Sequence, residues 1–314
     1  MGSDRGLRAR ARALAFSPHV PFELRSRLFF SNKRRAWPQR HAVTFSEKLL
    51  WKMAKDRRPL LTTFADKVAV RDYVASAVGP EVLTALYAVV DDPADLDPSA
   101  LPDQFVVKPN HTSGTIWIVD NTRPEEGVVQ LSSEMFRSSR QALDWDALVA
   151  ACRRWLSIRY ADFELEWAYR GIQPKILVEE LLVDPHEPTP LDYKFYVLNG
   201  RTRLLEVHMN RFGERRCNLV RPDWTPVEAK LPCASDPNGA PRPASLDKML
   251  HIAETLGQDT DFVRVDLYDI DGRIVFGELT NYPGGLWGPG DPPFSPHEFN
   301  VELGGYWRIP KRYR

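Results

Sequence analysis

The chain of 314 residues carries 42 Lys and Arg residues against 42 Asp and Glu residues, so its formal net charge is zero. Hydrophobic residues at 43% and charged residues at 27% are globular values, which excludes a wholly disordered or collagen-like chain. Zero net charge gives no electrostatic reason to expect nucleic-acid binding, and no apolar run reaches the roughly 18 residues that a membrane helix needs.

The charges are unevenly distributed along this neutral chain. Residues 1–40 carry a net charge of +8 and residues 307–314 carry +4, which leaves −12 on the body between them. We expect residues 1–43 to form a basic extension. Such an arm is either a solvated tail or a peripheral contact with an acidic polymer, an anionic membrane surface or a protein partner.

The three cysteines, Cys152, Cys217 and Cys233, form neither a CxxC motif nor an even set. This pattern argues against a metal knuckle, a redox pair and a secreted disulfide scaffold. It therefore predicts a protein of the reducing cytoplasm.

The N-terminal part of the body is predicted to be helical. A first helix is expected from Thr44, with Ser46 as its cap, because apolar residues recur there at helical spacing. A second helix should begin near residues 65–67 and stop at Gly79. The Asp- and Pro-rich stretch 91–102 is predicted to be a linker.

The remainder is richer in strand patterns. The pairs Asn199-Gly200 and Asp271-Gly272 are each flanked by apolar runs, which predicts two hairpins with type I′ turns, since both central residues of such turns need positive φ. The other predicted strands are 104–108, 116–119 and 175–182, and the other predicted helices are 145–160 and 245–256, the latter closed by Gly257.

The most informative residues lie in the second predicted hairpin. Arg264 and Asp266 share one strand face by period-two spacing, and Glu278 on the return strand can meet Asp266 across the hairpin. Two carboxylates on rigid strands form an oxygen site suited to Mg²⁺, and an adjacent arginine suits the phosphate that the metal bridges. The alternative is an Arg–Asp–Glu surface network without a metal.

Two lysines suit phosphate recognition, although each also has an ordinary explanation. A strand delivers Lys108 into the small polar loop 110–115, which suits an anion but equally a tight solvated turn. Lys67 at a helix start is unfavourable against the helix dipole unless it serves an anion, and the alternative is a surface lysine.

A further position suits a nucleotide base. Glu179 and Glu180 end an apolar strand beside Leu182, where backbone groups can seat an adenine, and Asp192 can take ribose hydroxyls. The alternative is a plain strand exit.

The order of these positions resembles the ATP-grasp superfamily, and more closely its TupA-like family, which is named for teichuronopeptide biosynthesis and often found in cell-surface polysaccharide clusters. The resemblance extends from Thr44 to about Trp307 and leaves the first 43 residues largely outside. Its five ordered blocks are TFSEKLLWKMAKDRRPLLTTFADKVAVRDYV, LPDQFVVKPNHTSG, ILVEELLVD, LDYKFYVLNG and FVRVDLYDIDGRIVFGELTNYPGG.

This resemblance implies an α+β protein with the ATP-grasp fold, in which two α+β subdomains grip MgATP. The implied units are the basic extension 1–43, an N-terminal helical, preATP-grasp-like region 44–101, a first subdomain 102–185 and a second subdomain 186–314.

The resemblance also implies roles for individual residues. Lys67 and Lys108 would contact the α- and β-phosphates, and Arg264 would stabilise the transferring phosphoryl group, with Lys194 and Arg211 as further catalytic or phosphate contacts. The implied ATP-binding residues are Lys67, Lys108, His111, Thr112, Ser113, Gly114, Glu179, Glu180, Leu182 and Asp192, and the implied Mg²⁺ ligands are Asp266, Glu278 and Asn281.

Two positions depart from the family pattern. The superfamily's final metal motif is Glu-x-Asn, whereas Thr280 stands two residues after Glu278 here and Asn281 comes one residue late. A regular strand would turn Asn281 to the other face, so the third ligand is Thr280, a bulged Asn281 or water. Thr112 stands where the family commonly has glycine, which predicts a stiffer or differently shaped loop.

The leading functional hypothesis is an ATP-dependent carboxylate–amine ligase of cell-surface polysaccharide or specialised-metabolite biosynthesis. It would form an amide through an acylphosphate, release ADP and phosphate, and take a small-molecule carboxylate and amine but no nucleic acid. The absence of a nucleophile motif agrees with this, because such a reaction relies on positioning and charge neutralisation. The alternatives are a kinase acting on a hydroxyl of a sugar or other small molecule, and a nucleotide-binding protein without turnover.

Overall fold

A computed structural model describes residues 20–21, 24–25, 41–122, 127–211, 213–229, 233–284 and 297–310. Most of the predicted basic extension therefore lies outside the described residues. None of the described helices combines the length and the hydropathy needed to cross a bilayer. These helices are α1 (Phe45–Lys55), α2 (Pro59–Ala65), α3 (Ala69–Val78), α4 (Trp145–Leu156), α5 (Tyr160–Glu164), α6 (Leu246–Gly257) and α7 (His297–Gly305).

The strands form two sheets. In chain order they are β1 (Leu86–Val90), β2 (Phe105–Pro109), β3 (Ile116–Val119), β4 (Val129–Ser132), β5 (Met135–Ser138), β6 (Ile176–Glu179), β7 (Asp192–Leu198), β8 (Arg201–Met209), β9 (Arg216–Val220), β10 (Phe262–Ile270) and β11 (Arg273–Thr280). The first sheet has the order β1-β6-β2-β3-β5-β4 and the second has the order β11-β10-β7-β8-β9. The second sheet is antiparallel throughout.

The first predicted helix is confirmed as α1, but its cap is Thr44 and not Ser46. The Thr44 hydroxyl accepts a hydrogen bond from the backbone N–H of Glu47 at 3.1 Å, and the Glu47 carboxylate accepts one from the N–H of Thr44 at 3.0 Å. This reciprocal capping box satisfies two N–H groups at the helix start. The N–H of Ser46 instead donates to the side chain of Asn300 at 3.0 Å.

The second predicted helix is confirmed as α3, which ends at Gly79 with φ of 95°. The sequence did not predict α2, which begins with Pro59 at its first turn, where the missing N–H costs nothing. It also did not predict β1. This strand precedes residue 102 and nevertheless pairs antiparallel with β6 in the first sheet.

Both predicted hairpins are confirmed, whereas two element ends were wrong. Asn199-Gly200 have φ of 49° and 73°, and Asp271-Gly272 have φ of 51° and 84°. The helix predicted over 145–160 ends at Leu156, and the strand predicted over 175–182 ends at Glu179. In both cases apolar residues continue past the end of the element, which the periodicity cannot detect.

One face of each sheet is apolar because alternate residues of its strands point to a helix. In the second sheet, Phe195 and Val265 lie fully buried against Met249 of α6. In the first sheet, Val107 packs with Trp155 of α4. Burial on this scale removes most apolar side chains of the sheets from water and stabilises both units.

The opposite face of the second sheet is apolar at one end only. There Tyr196 and Phe262 pack against Phe45 of α1 and against Trp307, which follows α7. The rest of this face carries charged side chains, and we call it the cleft face. It is the part of the fold that positions the candidate site.

Helix α7 approaches α1 without room for a side chain. A Cβ at Gly304 would lie 2.3 Å from the carbonyl oxygen of Val43 and 2.6 Å from the backbone nitrogen of Phe45. The ammonium of Lys48 donates to the carbonyl oxygens of Gly304 at 2.8 Å and Trp307 at 2.7 Å, which fixes the end of α7 on α1.

We expect Gly304→Ala to lower the free energy of unfolding by about 3 kcal/mol, because backbone atoms cannot make way for the new methyl group. Urea denaturation followed by tryptophan fluorescence would measure the change. Gly305→Ala is the matched control, since a Cβ there meets nothing within 4 Å and should change stability by less than about 0.5 kcal/mol. Equal effects of the two substitutions would contradict the close approach.

The cysteine pattern misled the sequence prediction. Cys217 of β9 and Cys233 are joined by a disulfide, with their Cα atoms 5.9 Å apart, and Cys152 is free and buried. The two partners are 16 residues apart in sequence and meet because Arg216 pairs with Ala234 in an isolated bridge. The odd number of cysteines did not predict this single disulfide, and the cytoplasmic location stays a prediction.

Candidate functional site

A row of charged side chains crosses four adjacent strands on the cleft face. Strand register places Glu278 of β11, Asp266 of β10, Lys194 of β7 and Glu206 of β8 directly beside one another in that order. Neighbouring strands are about 4.8 Å apart, so the row extends over roughly 15 Å. We call it the charged row.

A β-bulge brings the first two members of the row together. Counted from the turn, a regular ladder would place Gly277 opposite Asp266, but the register shifts there and Glu278 becomes the partner. A Cβ at Gly277 would lie 3.1 Å from the carbonyl oxygen of Asp266, so glycine suits this crossing. The predicted meeting of Asp266 with Glu278 is confirmed, with the bulge as its cause.

Arg264 joins these two carboxylates. Its guanidinium donates to both oxygens of Asp266 at 2.7 and 2.6 Å and to Glu278 at 2.7 Å. Burial alone would raise the pKa of Glu278, but the charge of Arg264 outweighs it and holds that pKa well below its usual range. Glu278 is therefore ionised at neutral pH, and Thr280 donates a further hydrogen bond to it at 2.8 Å.

Lys194 occupies the centre of the charged row. Its ammonium lies 2.5 Å from a carboxylate oxygen of Asp192 and 2.5 Å from one of Asp266. Arg211 approaches Asp192 at 3.7 Å, and its side chain is 53% exposed. The predicted residues Lys194, Asp192 and Asp266 thus form one cluster, and Arg211 lies at its edge.

The first sheet contributes a second cluster. The ammonium of Lys108 on β2 forms an ion pair with Glu179 on β6. Arg71 of α3 lies 3.8 Å from the same carboxylate, and the hydroxyl of Thr84 donates to it at 3.2 Å. These three contacts fix the carboxylate of Glu179, and its ion pair fixes the ammonium of Lys108 at the end of β2.

Lys67 lies between the two clusters. Its ammonium donates to the carbonyl oxygen of Thr112, and its backbone N–H donates to that of Asn110 at 3.1 Å. Burial lowers the pKa of Lys67 to about 8, with Glu278 opposing the shift and Lys108 adding to it. Glu278 and Lys108 belong to different sheets, so Lys67 interacts electrostatically with charged groups of both sheets.

The predicted phosphate loop has a buried half and an exposed half. His111 is buried, and its Nε2 lies 3.1 Å from the carbonyl oxygen of Ile158. The Thr112 hydroxyl is bonded to that of Thr115. Ser113 and Gly114 are exposed at the tip. The free donors for an anion are therefore at residues 113–114, and His111 supports the loop from behind.

The predicted adenine hinge is joined to the second sheet. Glu180 accepts two hydrogen bonds from Arg273 of β11, at 2.5 and 2.9 Å, which is the main cause of its lowered pKa. The backbone N–H of Glu180 donates to the carbonyl oxygen of Ala85 at 2.9 Å. Leu182 follows the end of β6 and is half-buried, so the backbone beyond Glu180 remains the place where an adenine would bind.

The donor atoms at the charged row fit a hard cation such as Mg²⁺. Asp266 and Glu278 supply carboxylate oxygens, and the buried Oδ1 atoms of Asp192 and Asn281 accept no hydrogen bond from the described residues. Within the described part of the chain no three His, Cys, Asp or Glu residues are grouped closely enough to hold a metal alone. Two carboxylates completed by phosphate oxygens and waters are nevertheless a usual Mg²⁺ arrangement.

The third ligand stays a prediction. The amide nitrogen of Asn281 donates to the carbonyl oxygen of Leu61 at 2.7 Å, which fixes the side chain on α2. Of its two amide atoms, only Oδ1 could therefore coordinate a metal. The hydroxyl of Thr280 is hydrogen-bonded to Glu278, and both side chains lie on the same face of β11.

Sequence reasoning did not find several residues of this region. Arg71 lies in a helix and Glu206 in a strand, and each looks like an ordinary polar position in those patterns. The period-two spacing of Glu206 and His208 was available as a signal. Their position beside Lys194 and Asp192 follows from the pairing of β7 with β8 in the hairpin at Asn199-Gly200.

We expect binding of ATP to weaken as the pH rises through about 8. The protonated ammonium of Lys67 is the form that attracts a phosphate, and the fraction of it falls above that pKa. The dissociation constant should increase by up to about tenfold per pH unit between roughly pH 8 and 10. Calorimetric titrations at several pH values would test this.

Two variants separate Lys67 from other causes of such a pH dependence. Lys67→Met should bind ATP more weakly at pH 7 and lose most of the slope above pH 8. Lys248→Met, at an exposed position on α6, should keep the wild-type affinity and slope. A slope that persists in Lys67→Met would assign the effect to another group.

Lys67 interacts electrostatically with Lys108 of the first sheet and with Glu278 of the second. A family model described as TupA-like ATPgrasp matches residues 47–308, which is most of the chain. The chain belongs to the TupA-like ATP-grasp family. The α+β fold with two sheets is accordingly an ATP-grasp fold, and no curated protein matches the chain significantly.

Solved structures similar to this TupA-like chain include three ligases. D-alanine–D-alanine ligase from Bacillus anthracis, complexed with ATP, is 14% identical over 72% of this chain and 56% of its own, with a TM-score of 0.38. L-amino acid ligase from Bacillus licheniformis is 16% identical over 73% and 46%, with a TM-score of 0.39. The ATP-grasp ligase PsnB with a minimal precursor, Mg and ADP is 14% identical over 82% and 62%, with a TM-score of 0.35. The match thus spans roughly half to two thirds of those chains.

Proposed function

We propose that this TupA-like protein is an ATP-dependent carboxylate–amine ligase that forms an amide through an acylphosphate and releases ADP and phosphate. The observation that carries the proposal is that Lys67, bonded to the loop 110–115, interacts electrostatically with Glu278 of the second sheet and with Lys108 of the first. Membership of the family supports the use of ATP.

The residues of the chain would divide the work by charge. Lys67 and Lys108 bind phosphate oxygens, because phosphates can replace the carbonyl and carboxylate groups that they contact in the structure. Arg264 stabilises the charge that develops on the transferring phosphoryl group. Preorganised cations in a cleft are worth more than the same charges in water.

Asp266 and Glu278 would hold Mg²⁺, which when bound neutralises phosphate charge during transfer. Lys194 holds Asp266 and Asp192 in place through its two 2.5 Å contacts; it lowers the pKa of Asp192 and opposes the burial that raises the pKa of Asp266. The carboxylate of the substrate then attacks the γ-phosphorus in line, and no nucleophilic side chain of the protein is needed.

Trapping with hydroxylamine tests this function. The full chain with ATP and Mg²⁺ would be incubated with a pool of uronic acids and amino acids as carboxylate donors. We expect a hydroxamate and one equivalent of ADP for each turnover. Release of AMP would contradict the acylphosphate route, and a stable phosphorylated product without hydroxamate would instead indicate a kinase.

A further inference from the structure

Beyond Lys194, the charged row ends in a carboxylate–imidazole pair that the handling of ATP does not use. Glu206 and His208 lie on β8, beside Lys194 and Asp192 respectively. Both are buried, with 6% and 3% of their surfaces exposed. The pair thus lies on the cleft face about 10 Å, or two strand spacings, from Asp266.

The hydrogen bonds of this pair define the tautomer of His208. Its Nδ1 accepts from Nε of Arg215 at 3.0 Å and from Nη2 at 2.7 Å. A guanidinium has donors only, so the proton of the neutral ring is on Nε2. That proton is donated to Glu206 at 2.5 Å, and the other oxygen of Glu206 accepts from Tyr196 at 2.8 Å.

Glu206 is ionised and therefore able to stabilise a protonated ring. Burial would raise its pKa, but the hydrogen bond from His208 and the charges of Arg264 and Lys194 hold it below that of an ordinary glutamate. A carboxylate behind one ring nitrogen orients the imidazole and stabilises the imidazolium that forms when the other nitrogen takes a proton. The pair thus has the composition of a general base whose outer nitrogen is covered by Arg215.

Arg215 is exposed and has an unusual partner for a cation. Within the described part of the chain its guanidinium contacts His208 and no carboxylate. Desolvation lowers its pKa relative to an ordinary arginine, although the charge of Glu206 opposes the shift. Arg211, four residues earlier, is also exposed. Two exposed guanidiniums at the end of the charged row favour binding of an anionic group.

We infer that His208 is the general base that deprotonates the attacking amine, with Glu206 as its positioning residue and Arg215 binding a carboxylate of the same amine. The inference rests on the ligase function proposed above. Arg215 leaves Nδ1 when it turns to the substrate carboxylate, which exposes the base. Because Arg215 and Nδ1 are 2.7 Å apart, the amine and carboxylate of the acceptor are close together, as in an α-amino acid.

The proton and electron balance of the step is complete. The acceptor enters as an ammonium ion and gives one proton to Nδ1 of His208. The neutral nitrogen attacks the acyl carbon, the C–N bond forms, and the C–O bond to phosphate breaks with its electron pair leaving on the phosphate. The second nitrogen proton goes to that phosphate, and His208 returns its proton to water.

Hydroxylamine separates this base from the ATP chemistry, since it is unprotonated at neutral pH and needs no base. With the donor pool described above, wild type should make hydroxamate from hydroxylamine and amides from amino acids such as glycine. It should make no amide from an amine that lacks the carboxylate, such as methylamine. His208→Gln should reduce amide formation about 10²–10⁴-fold and change hydroxamate formation less than about threefold.

Arg215→Lys extends the test at an exposed position where folding is not at risk. It should raise KM for the amino acid without changing the rate of hydroxamate formation. Equal losses of amide and hydroxamate in His208→Gln, or no loss of either, would overturn the inference. Hydroxamate without any amino-acid amide in wild type would also overturn it, whereas no hydroxamate and no ADP in wild type would overturn the proposed function.

Discussion

Asp266→Asn should abolish turnover of ATP, with a loss on the order of 10³-fold in kcat. Asp266 accepts from Arg264 and Lys194 and faces Glu278, so its charge balances two buried cations at the centre of the charged row. An asparagine keeps the size of the side chain but removes that charge and one of the two carboxylates that would hold Mg²⁺. Release of ADP in the presence of the donor pool measures the effect.

Asp271→Asn is the matched control for this prediction. It makes the same chemical change on the same hairpin, at an exposed turn position with φ of 51° that asparagine tolerates well. Its turnover should equal that of wild type. Circular dichroism would establish that both variants are folded, and a folded Asp266→Asn protein with unchanged turnover would exclude a role of this carboxylate in the reaction.

Asp261→Asn should lower the free energy of unfolding by about 3–5 kcal/mol, the range found when one partner of a buried ion pair is removed. Asp261 is buried and accepts from Lys52 at 2.9 Å, from Arg58, and from the indole N–H of Trp307 at 2.8 Å. Without its charge, Asp56 alone has to balance both cations. Lys52 has no exposed surface, so water cannot compensate.

Urea denaturation at pH 7 would measure this loss, and Asp259→Asn is its control. Asp259 is exposed two residues earlier and should contribute less than about 0.5 kcal/mol. The pKa of Asp261 is lowered in the folded state, where Lys52 and Arg58 outweigh the effect of burial. Its contribution is therefore present above about pH 4 and lost as the pH falls, so wild type and variant should converge in stability towards acid. A constant difference down to pH 2 would contradict this assignment.

The metal-side residues could be predicted because they depend on local rules. The I′ turn at Asp271-Gly272 fixes a hairpin, and a hairpin brings Asp266 near Glu278 whatever the rest of the chain does. The bulge at Gly277 refines that meeting and was not foreseen. Lys67 and Lys108 were found through the family resemblance, and the spacing of the residues alone left a surface lysine and a solvated turn as equal explanations.

The connection of Lys194 to the metal-side carboxylates could not be predicted, because it depends on strand order. Glu206 meets Lys194 within the predicted hairpin of β7 and β8, but Lys194 becomes a neighbour of Asp266 only because β7 lies beside β10 in the sheet. The same holds for the disulfide of Cys217 and for the ion pair of Lys52 with Asp261, which spans 209 residues of sequence. Contacts made across such distances leave no periodic pattern.

The docking of α7 on α1 has a consequence for the order of events during synthesis. Phe45 is completed early, yet its aromatic partner Trp307, with ring centroids 5.4 Å away, leaves the ribosome more than 250 residues later. Until then the cover of Phe45 by Tyr196 and Phe262 lacks its third aromatic partner. The first helix of the body is thus among the last to reach its final packing, and a chaperone that protects it would act on nascent chains throughout translation.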